Sequence, residues 1–329
     1  METSIWRLVL YLFGFMVFAA VNVAYLGWCE HRGAGHIQPR TTPKEAGWFG
    51  LLQPVADGLT LMTKQLFIPH GVDGVLFRLT PVLAMIPALT SMVAIPFSAN
   101  IQARAIDLSV LFLFSLVSLG MIALLLGGWA SANTYILISS ARAVSQSIAY
   151  EIPMLITVIT IVMISGSVHL GTIAEAQQGG FWRWNIFPRL DSSLLMPVSF
   201  LIFFICSIAE TNRALFDMAE VESELVTGPL PEYSPMGFAP FVVGEYLNIV
   251  VGACLTTILF LGGWGCPLGK TPGVWWFLAK IYLLMFIFIW VRRIFSRTQV
   301  YPLLNLSWKI MIPLSLVNLL LAAIFIKVF

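Results

Sequence analysis

Long apolar stretches recur along this chain, at about 5–28, 80–97, 108–130, 152–169, 193–210, 239–263, 273–291 and 305–327. A helix needs roughly 20 apolar residues to cross the hydrocarbon of a bilayer. Lipid offers no partner to backbone polar groups, so a spanning segment must satisfy them internally, as a helix does. Composition agrees: 59% of residues are hydrophobic and 10% charged, against about 25% charged in an ordinary soluble domain. The fold class is therefore an all-α polytopic membrane protein with about eight transmembrane helices, forming a single membrane domain over 1–329. The first stretch is too long for a signal-peptide core and lacks a small-residue cleavage site, so it reads as a retained span. Pro81, Pro87 and Pro96 sit in the second; such prolines are tolerated where neighbours satisfy the freed carbonyls. No internal repeat is visible, which argues against a transporter built from inverted halves.

Eight spans put both termini on one side, and Lys and Arg decide which. Ten of the 18 basic residues fall in one set of loops and six in the other, with Lys280 and Lys309 within or at the edge of spans. That bias places both termini outside the cytoplasm of the cell inner membrane. The first loop (29–79), the 211–238 loop and the Arg292–Arg297 loop then share the cytoplasmic face. In the first loop Leu51, Val55, Leu59, Met62 and Leu66 recur at helical spacing, with Asp57, Thr60 and Lys64 largely opposite. The segment 51–67 is too short to span and amphipathic enough to lie in the interface. It serves as a surface anchor or as the roof of a cavity between spans. FWRWN (181–185) and VWW (274–276) read as outer interfacial anchors, and His169 as an interfacial polar residue.

Charge is concentrated in one place. Between 207 and 248 stand Glu210, Asp217, Glu220, Glu222, Glu224, Glu232 and Glu245, seven of the chain's 16 acids, with Arg213 the one base among them. Carboxylates at a membrane boundary repel one another and lose hydration, which points either to a solvated acidic loop or to proton handling. If 217–225 is helical, Asp217, Glu220 and Glu224 share a face and titrate as a coupled set. Glu151 enters the fourth span with no base nearer in sequence than Arg142, and Glu245 lies about two turns into the sixth. Both suit groups that take up and release protons. Glu30, in WCEHR at the end of the first span, has Arg32 as an obvious partner.

Other chemistries find no support. Cys29, Cys206, Cys254 and Cys266 are scattered, without CxxC or metal-ligand spacing, and read as small apolar residues. No iron–sulfur cluster, zinc or other metal is expected within this chain. Nucleophilic triads, phosphate-cradling glycine loops and nucleic-acid patches are absent, so nucleic acid is not an expected partner.

Several motifs together resemble one family. AETNRALFDMAEVESELVTG followed by EYSPMGFAPFVVGEYLNI, GLLQPVADGLTLMTK at 50–64 and ARAVSQSIAYE at 141–151 are similar to signatures of the H (mitochondrial 1) subunit of respiratory complex I. The resemblance covers most of the chain, including its length, its eight spans and its long first loop. It implies a non-redox membrane subunit of a proton-pumping NADH:quinone oxidoreductase, with no complete active site of its own. Quinone is then the substrate, no cofactor is covalently bound, and flavin and iron–sulfur clusters belong to partner subunits. The implied partners are the hydrophilic quinone-site subunits, the antiporter-like membrane arm and the lipid bilayer.

Carried over by position, the resemblance implies quinone-chamber residues Glu30, Arg32, Arg40, Asp57 and Phe216. It implies proton transfer by Glu151, Glu210 and Glu245 within the spans and by Asp217, Glu220, Glu222 and Glu224 in the acidic loop. The sequence also departs from the family pattern. Leu215 and Ala219 stand where the family has prolines, 41–47 reads TTPKEAG, and the last cytoplasmic loop lacks the usual RYDQLM-like run. A divergent member is indicated, using its own quinone or electron donor. The competing readings are the equivalent subunit of an energy-converting hydrogenase or ferredoxin-linked complex, and a stand-alone ion transporter or passive anchor.

Overall fold

The computed structural model describes residues 5–37, 47–65, 67–99, 101–187, 195–211, 230, 232–269, 271–294 and 300–328. In chain order the α-helices are α1 (Ile5–Ile37), α2 (Gln53–Thr63), α3 (Gly74–Ala94), α4 (Ser109–Ala130), α5 (Thr134–Ser165) and α6 (Leu170–Ala176). They continue with α7 (Leu195–Glu210), α8 (Pro235–Phe260), α9 (Val274–Ile294), α10 (Val300–Leu306) and α11 (Ile312–Val328). Among the described residues seven helices are long and apolar enough to cross a membrane, and α7 is a shorter apolar helix. The chain is an all-α, multi-pass membrane protein, and each of the eight expected stretches is found.

Their ends differ from the hydropathy reading for identifiable reasons. Helix α5 starts at Thr134 rather than near 152, capped by the Asn133 side chain, which accepts from Tyr135 N at 3.1 Å. The polar run before Glu151 can lie in an apolar bundle because its hydroxyls are satisfied within the same helix. Ser140 Oγ donates to Leu137 O, Ser145 Oγ to Arg142 O and Ser147 Oγ to Ala143 O. Helix α3 begins at Gly74 rather than near 80, because Asp73 caps it by accepting from Val75 N and Leu76 N. Helix α1 runs on to Ile37, past the expected end at 28. A helix is present within the expected 51–67 but is short, Gln53–Thr63.

Helix α8 is the axis of the bundle, packing against α1, α3, α7 and α9. Two small residues set its distance from its neighbours. A Cβ on Gly244 would lie 3.3 Å from the Ala84 carbonyl of α3, and one on Gly252 would lie 2.5 Å from Ser207 Oγ of α7. Such close approach is how membrane helices gain contact where lipid supplies no hydrophobic drive between them. The core around α8 contains Phe203, Phe260, Phe277 and Trp264, all fully buried. A smaller second core gathers Phe77, Ala130, Leu230, Tyr233 and Phe241 at the end where the acidic stretch rejoins α8.

Proline chemistry fixes α5 where it matters most. Pro153 has no N–H, so the Ala149 carbonyl four residues earlier loses its helical donor. The Ser307 hydroxyl donates to that carbonyl instead. Ser307 opens a π-helical turn (Ser307–Met311) between α10 and α11, and one turn earlier Leu303 O accepts from Tyr150 OH at 2.9 Å. Two contacts therefore stitch α5 to the last helix immediately before Glu151.

The far end of the bundle is closed by a dense polar plug. Lys280 Nζ donates to Leu261 O at 2.6 Å, Gly263 O at 3.0 Å and Gly265 O at 2.8 Å, and stands 4.2 Å from the Trp184 ring centroid. Gln177 donates to Ile173 O, Ile258 O and Leu259 O, while its oxygen accepts from Asn185 N and Gly262 N. Gly262 has φ +71°, and a Cβ there would lie 2.7 Å from the Trp184 ring, so the turn needs glycine on both counts. Trp182 and Trp275 are exposed, as interfacial anchors would be, whereas Trp184 turns inward over Lys280.

Candidate functional site

Two carboxyl sites lie within the bundle. In the first, Glu30 near the end of α1 is 6% exposed, and its Oε2 accepts from Tyr246 OH on α8 at 2.7 Å. Gly27, one turn before Glu30, lies against the same hydroxyl: a Cβ there would be 3.7 Å from it. Tyr246 follows Glu245 directly, so one turn of α8 carries both a half-buried carboxyl and the hydroxyl that reaches α1. Arg32, the partner expected from sequence spacing, has its guanidinium over two rings, 4.9 Å from the Trp28 centroid and 5.0 Å from that of Phe49. Trp28 Nε1 donates to Phe49 O at 3.3 Å, which holds the start of the 48–50 turn, and thus α2, against α1.

In the second site Glu151 of α5 accepts from Ser118 Oγ of α4 at 2.6 Å. Glu210 closes α7, which packs along α5, the helix that carries Glu151. Gln146, fully buried one turn before Tyr150, donates from Nε2 to Ala209 O at 3.1 Å. Ala209 adjoins Glu210, so α5 and α7 are tied where α7 ends. These side chains come from α4, α5 and α7, and the stitching of α5 to Ser307 and Leu303 sets their depth.

The other candidates divide in two. Asp57 is exposed on α2, accepting from Gln53 Nε2 at 2.9 Å. Arg40, Phe216, Asp217, Glu220, Glu222 and Glu224 lie outside the described residues, as do Leu215 and Ala219. The described end of the acidic stretch is firmly anchored. Tyr233 stacks on Phe77 with ring centroids 4.1 Å apart and planes 1° from parallel, and its hydroxyl donates to Gly127 O. Burial pushes the Tyr233 phenol up to about 12, a hydrogen bond with Thr80 acting the other way, so at neutral pH it stays a donor. Its neighbour Glu232 accepts from Asn133 Nδ2 at 3.1 Å, joining the stretch to the cap of α5. His169 Nδ1 accepts from Gly171 N and Thr172 N, which makes it the N-cap of α6. The cysteines are free, and Cys29 is exposed rather than buried with the other three. Among the described residues no three His, Cys, Asp or Glu side chains gather so as to hold a metal ion.

Comparison with known proteins accounts for this combination of motifs. The family model described as NADH dehydrogenase matches residues 10–323. The H subunit of the NADH-quinone oxidoreductase of Desulfotalea psychrophila is 61% identical over 316 residues, which is 95% of each chain. The chain belongs to that family. The H subunit of the Ruthia magnifica oxidoreductase is 40% identical over 312 residues, 92% of this chain and 85% of that one. The second of the H subunits named in Geobacter metallireducens is 37% identical over 331 residues, covering 94% of this chain and 93% of the relative.

Three side chains at these sites were not singled out in the sequence. Tyr246 and Gln146 stand inside the quoted family motifs, yet nothing in their own spacing marks them. Ser118 lies in an apolar span, where a hydroxyl reads as a residue bonded to its own helix. Its hydroxyl lies within hydrogen-bond reach of both Phe114 O at 3.1 Å and Glu151 at 2.6 Å, the shorter contact being the one to the carboxyl.

Proposed function

We propose that this chain is the non-redox membrane subunit in which quinone reduction is coupled to proton translocation within a proton-pumping NADH:quinone oxidoreductase. Quinone enters a chamber bounded by α1, α2, α8 and the acidic stretch, with Glu30, Arg32, Arg40, Asp57 and Phe216 around its path. Protons then move between that chamber and partner subunits through Glu245, Glu151 and Glu210, with Asp217, Glu220, Glu222 and Glu224 as further proton-transfer residues. The observation that carries this reading is the Glu30–Tyr246 contact, which ties the end of α1 to the α8 residue beside Glu245. A tyrosine hydroxyl can donate to a carboxylate or accept from a neutral carboxyl, so the pair accommodates either protonation state.

Flavin and iron–sulfur clusters reside in hydrophilic partner subunits, which deliver electrons to quinone at the chamber. An antiporter-like arm of further membrane subunits receives the coupling. The complex sits in the cell inner membrane with both termini of this chain outside the cytoplasm, so α2 and the acidic stretch face the electron-delivering partners. The test is Glu222→Gln with Glu224→Gln in the assembled complex, alongside Glu210→Gln. Quinone-coupled proton pumping is expected to be lost in each while the complex still assembles. Normal pumping in assembled enzyme carrying the changes overturns the role given to those carboxyls.

A further inference from the structure

The turn that leads into α2 holds a side chain in an unfavourable backbone conformation. Gly47, Phe49 and Gly50 have φ of +77°, +55° and +77°. Glycine adopts this left-handed region freely, whereas phenylalanine is strained there. Burial does not explain the choice, because Phe49 is 66% exposed. What Phe49 makes instead is a set of contacts with α1. Its ring lies 5.0 Å from the Arg32 guanidinium, which stands 4.9 Å from the Trp28 ring. Its carbonyl accepts from Trp28 Nε1 at 3.3 Å. Trp28 and Arg32, four residues apart, share one face of α1. Glu30, two residues from each, lies on the opposite face, where Tyr246 holds it. Helix α2 packs against α1 and α8, yet its 11 residues include none that is buried. A helix so short, with so little covered, draws little stability from itself or from a core.

We propose that Phe49 is a positioning residue, which with Trp28 and Arg32 forms a clasp holding α2 as a hinged cover against α1 and α8. The left-handed turn is the hinge, since Gly47 and Gly50 turn the chain without strain. The backbone of Phe49 favours release, whereas its ring and carbonyl favour closure. Opposed terms at one residue therefore set how firmly α2 is held. The clasp also braces the turn of α1 that carries Glu30, from the side opposite Tyr246. That the cover lies on the quinone path rests on the reading given above. That it is clasped and hinged does not.

The experiment measures hydrogen exchange across Gln53–Thr63 in the intact complex in liposomes. Phe49→Gly removes the ring and the strain together, whereas Phe49→Tyr keeps the ring. Exchange is expected to run about tenfold faster in Phe49→Gly and at the parent rate in Phe49→Tyr. Arg32→Gln is expected to speed it similarly, and the double variant no more than either alone, because both open one clasp. Parent-like exchange in Phe49→Gly, or effects that add in the double variant, overturn the proposal. If Phe49→Gly fails to assemble, Trp28→Phe decides, since it keeps a ring and loses the N–H donor. Faster exchange there supports the clasp, and parent-like exchange overturns it. Titration with decylubiquinone, the same quinone for parent and variants, separates the two levels. In Phe49→Gly KM is expected to rise about fivefold, well beyond any fall in kcat. Faster exchange with an unchanged KM keeps the clasp and removes α2 from the quinone path. A raised KM with parent-like exchange overturns the clasp and leaves the quinone reading standing.

Discussion

Where α5 and α8 finish, Lys280 and Gln177 point their donors at backbone carbonyls: three for the ammonium's three N–H groups, and three shared between the amide's two. Toward the opposite end, Glu30 and Glu151 are held by hydroxyls, Tyr246 and Ser118. The two arrangements differ in what they allow. A carbonyl can only accept and an ammonium can only donate, so the plug has one hydrogen-bonding pattern. A hydroxyl can reverse its role when the carboxyl beside it gains or loses a proton. One end therefore has a single hydrogen-bonding pattern, and the other can accommodate more than one protonation state. The Cβ contacts make the same distinction: the plug has a positive-φ glycine pressed on Trp184, whereas the space around Gly27 beside Tyr246 is ordinary van der Waals contact.

The largest effect is expected where the fixed end is broken. Lys280→Met leaves three carbonyls without their donor and removes the cation over Trp184, and each unsatisfied buried group costs about 1–3 kcal/mol. We expect a loss on the order of 3 kcal/mol, read as faster thermal inactivation of the purified complex, with turnover per surviving molecule near normal at low temperature. Lys280→Arg keeps the charge but not the compact threefold geometry, and should recover only part of the loss. A stable Lys280→Met protein with impaired turnover would reverse the assignment of roles to the two ends.

Tyr246→Phe is the matching change at the other end. It removes one hydrogen bond to Glu30, worth about 1.5 kcal/mol or less in stability. Quinone-coupled turnover should nonetheless fall about tenfold, because each 1.4 kcal/mol lost from the transition state is a factor of ten. The contrast with Lys280→Met is the point of measuring both: stability falls in one and turnover in the other. Equal losses of stability and turnover in Tyr246→Phe would erase the distinction.

Ser307→Ala probes a joint between structure and site. It returns the Ala149 carbonyl, already deprived of a donor by Pro153, to an unsatisfied state. About 1–2 kcal/mol of stability should be lost, together with a few-fold loss of turnover as Glu151 shifts against Ser118. Turnover unaffected by a measurable loss of stability would show that Glu151 does not depend on the stitching.

How far these features could be read from sequence follows from the range of the interactions. The spans were legible because a bilayer imposes length and hydrophobicity segment by segment. Their polar ends were not: the run before Glu151 reads as loop by hydropathy, yet Ser140, Ser145 and Ser147 fold their hydroxyls onto their own helix. The Asp73 and Asn133 caps were signals that could have placed the starts of α3 and α5. Glu30, Glu151 and Glu245 stood out as charges in an apolar background. Their partners did not, because Tyr246 lies 216 residues from Glu30 and Ser118 lies 33 from Glu151. Arg32 was the near candidate for Glu30 and instead covers two aromatic faces. The plug was the least legible: Gln177, Asn185 and Lys280 are unremarkable singly, and only the fold brings them to the same carbonyls.

The smallest expected effect on stability sharpens the open end further. Helix α2 lies against α1 and α8 but buries none of its residues, and Val55, Leu59 and Met62 are 55%, 60% and 68% exposed. A face so little covered by its own chain contributes little to folding, so Leu59→Ser with Met62→Ser should stay within about 0.5 kcal/mol of the parent. If this face roofs the quinone path, the same pair raises KM for quinone while leaving kcat near the parent value, the pattern of lost uniform binding. If it only anchors α2 to lipid, KM stays put and the complex instead loses activity when lipid is stripped by detergent. Titrating quinone at fixed lipid, then lipid at fixed quinone, separates the roof from the anchor.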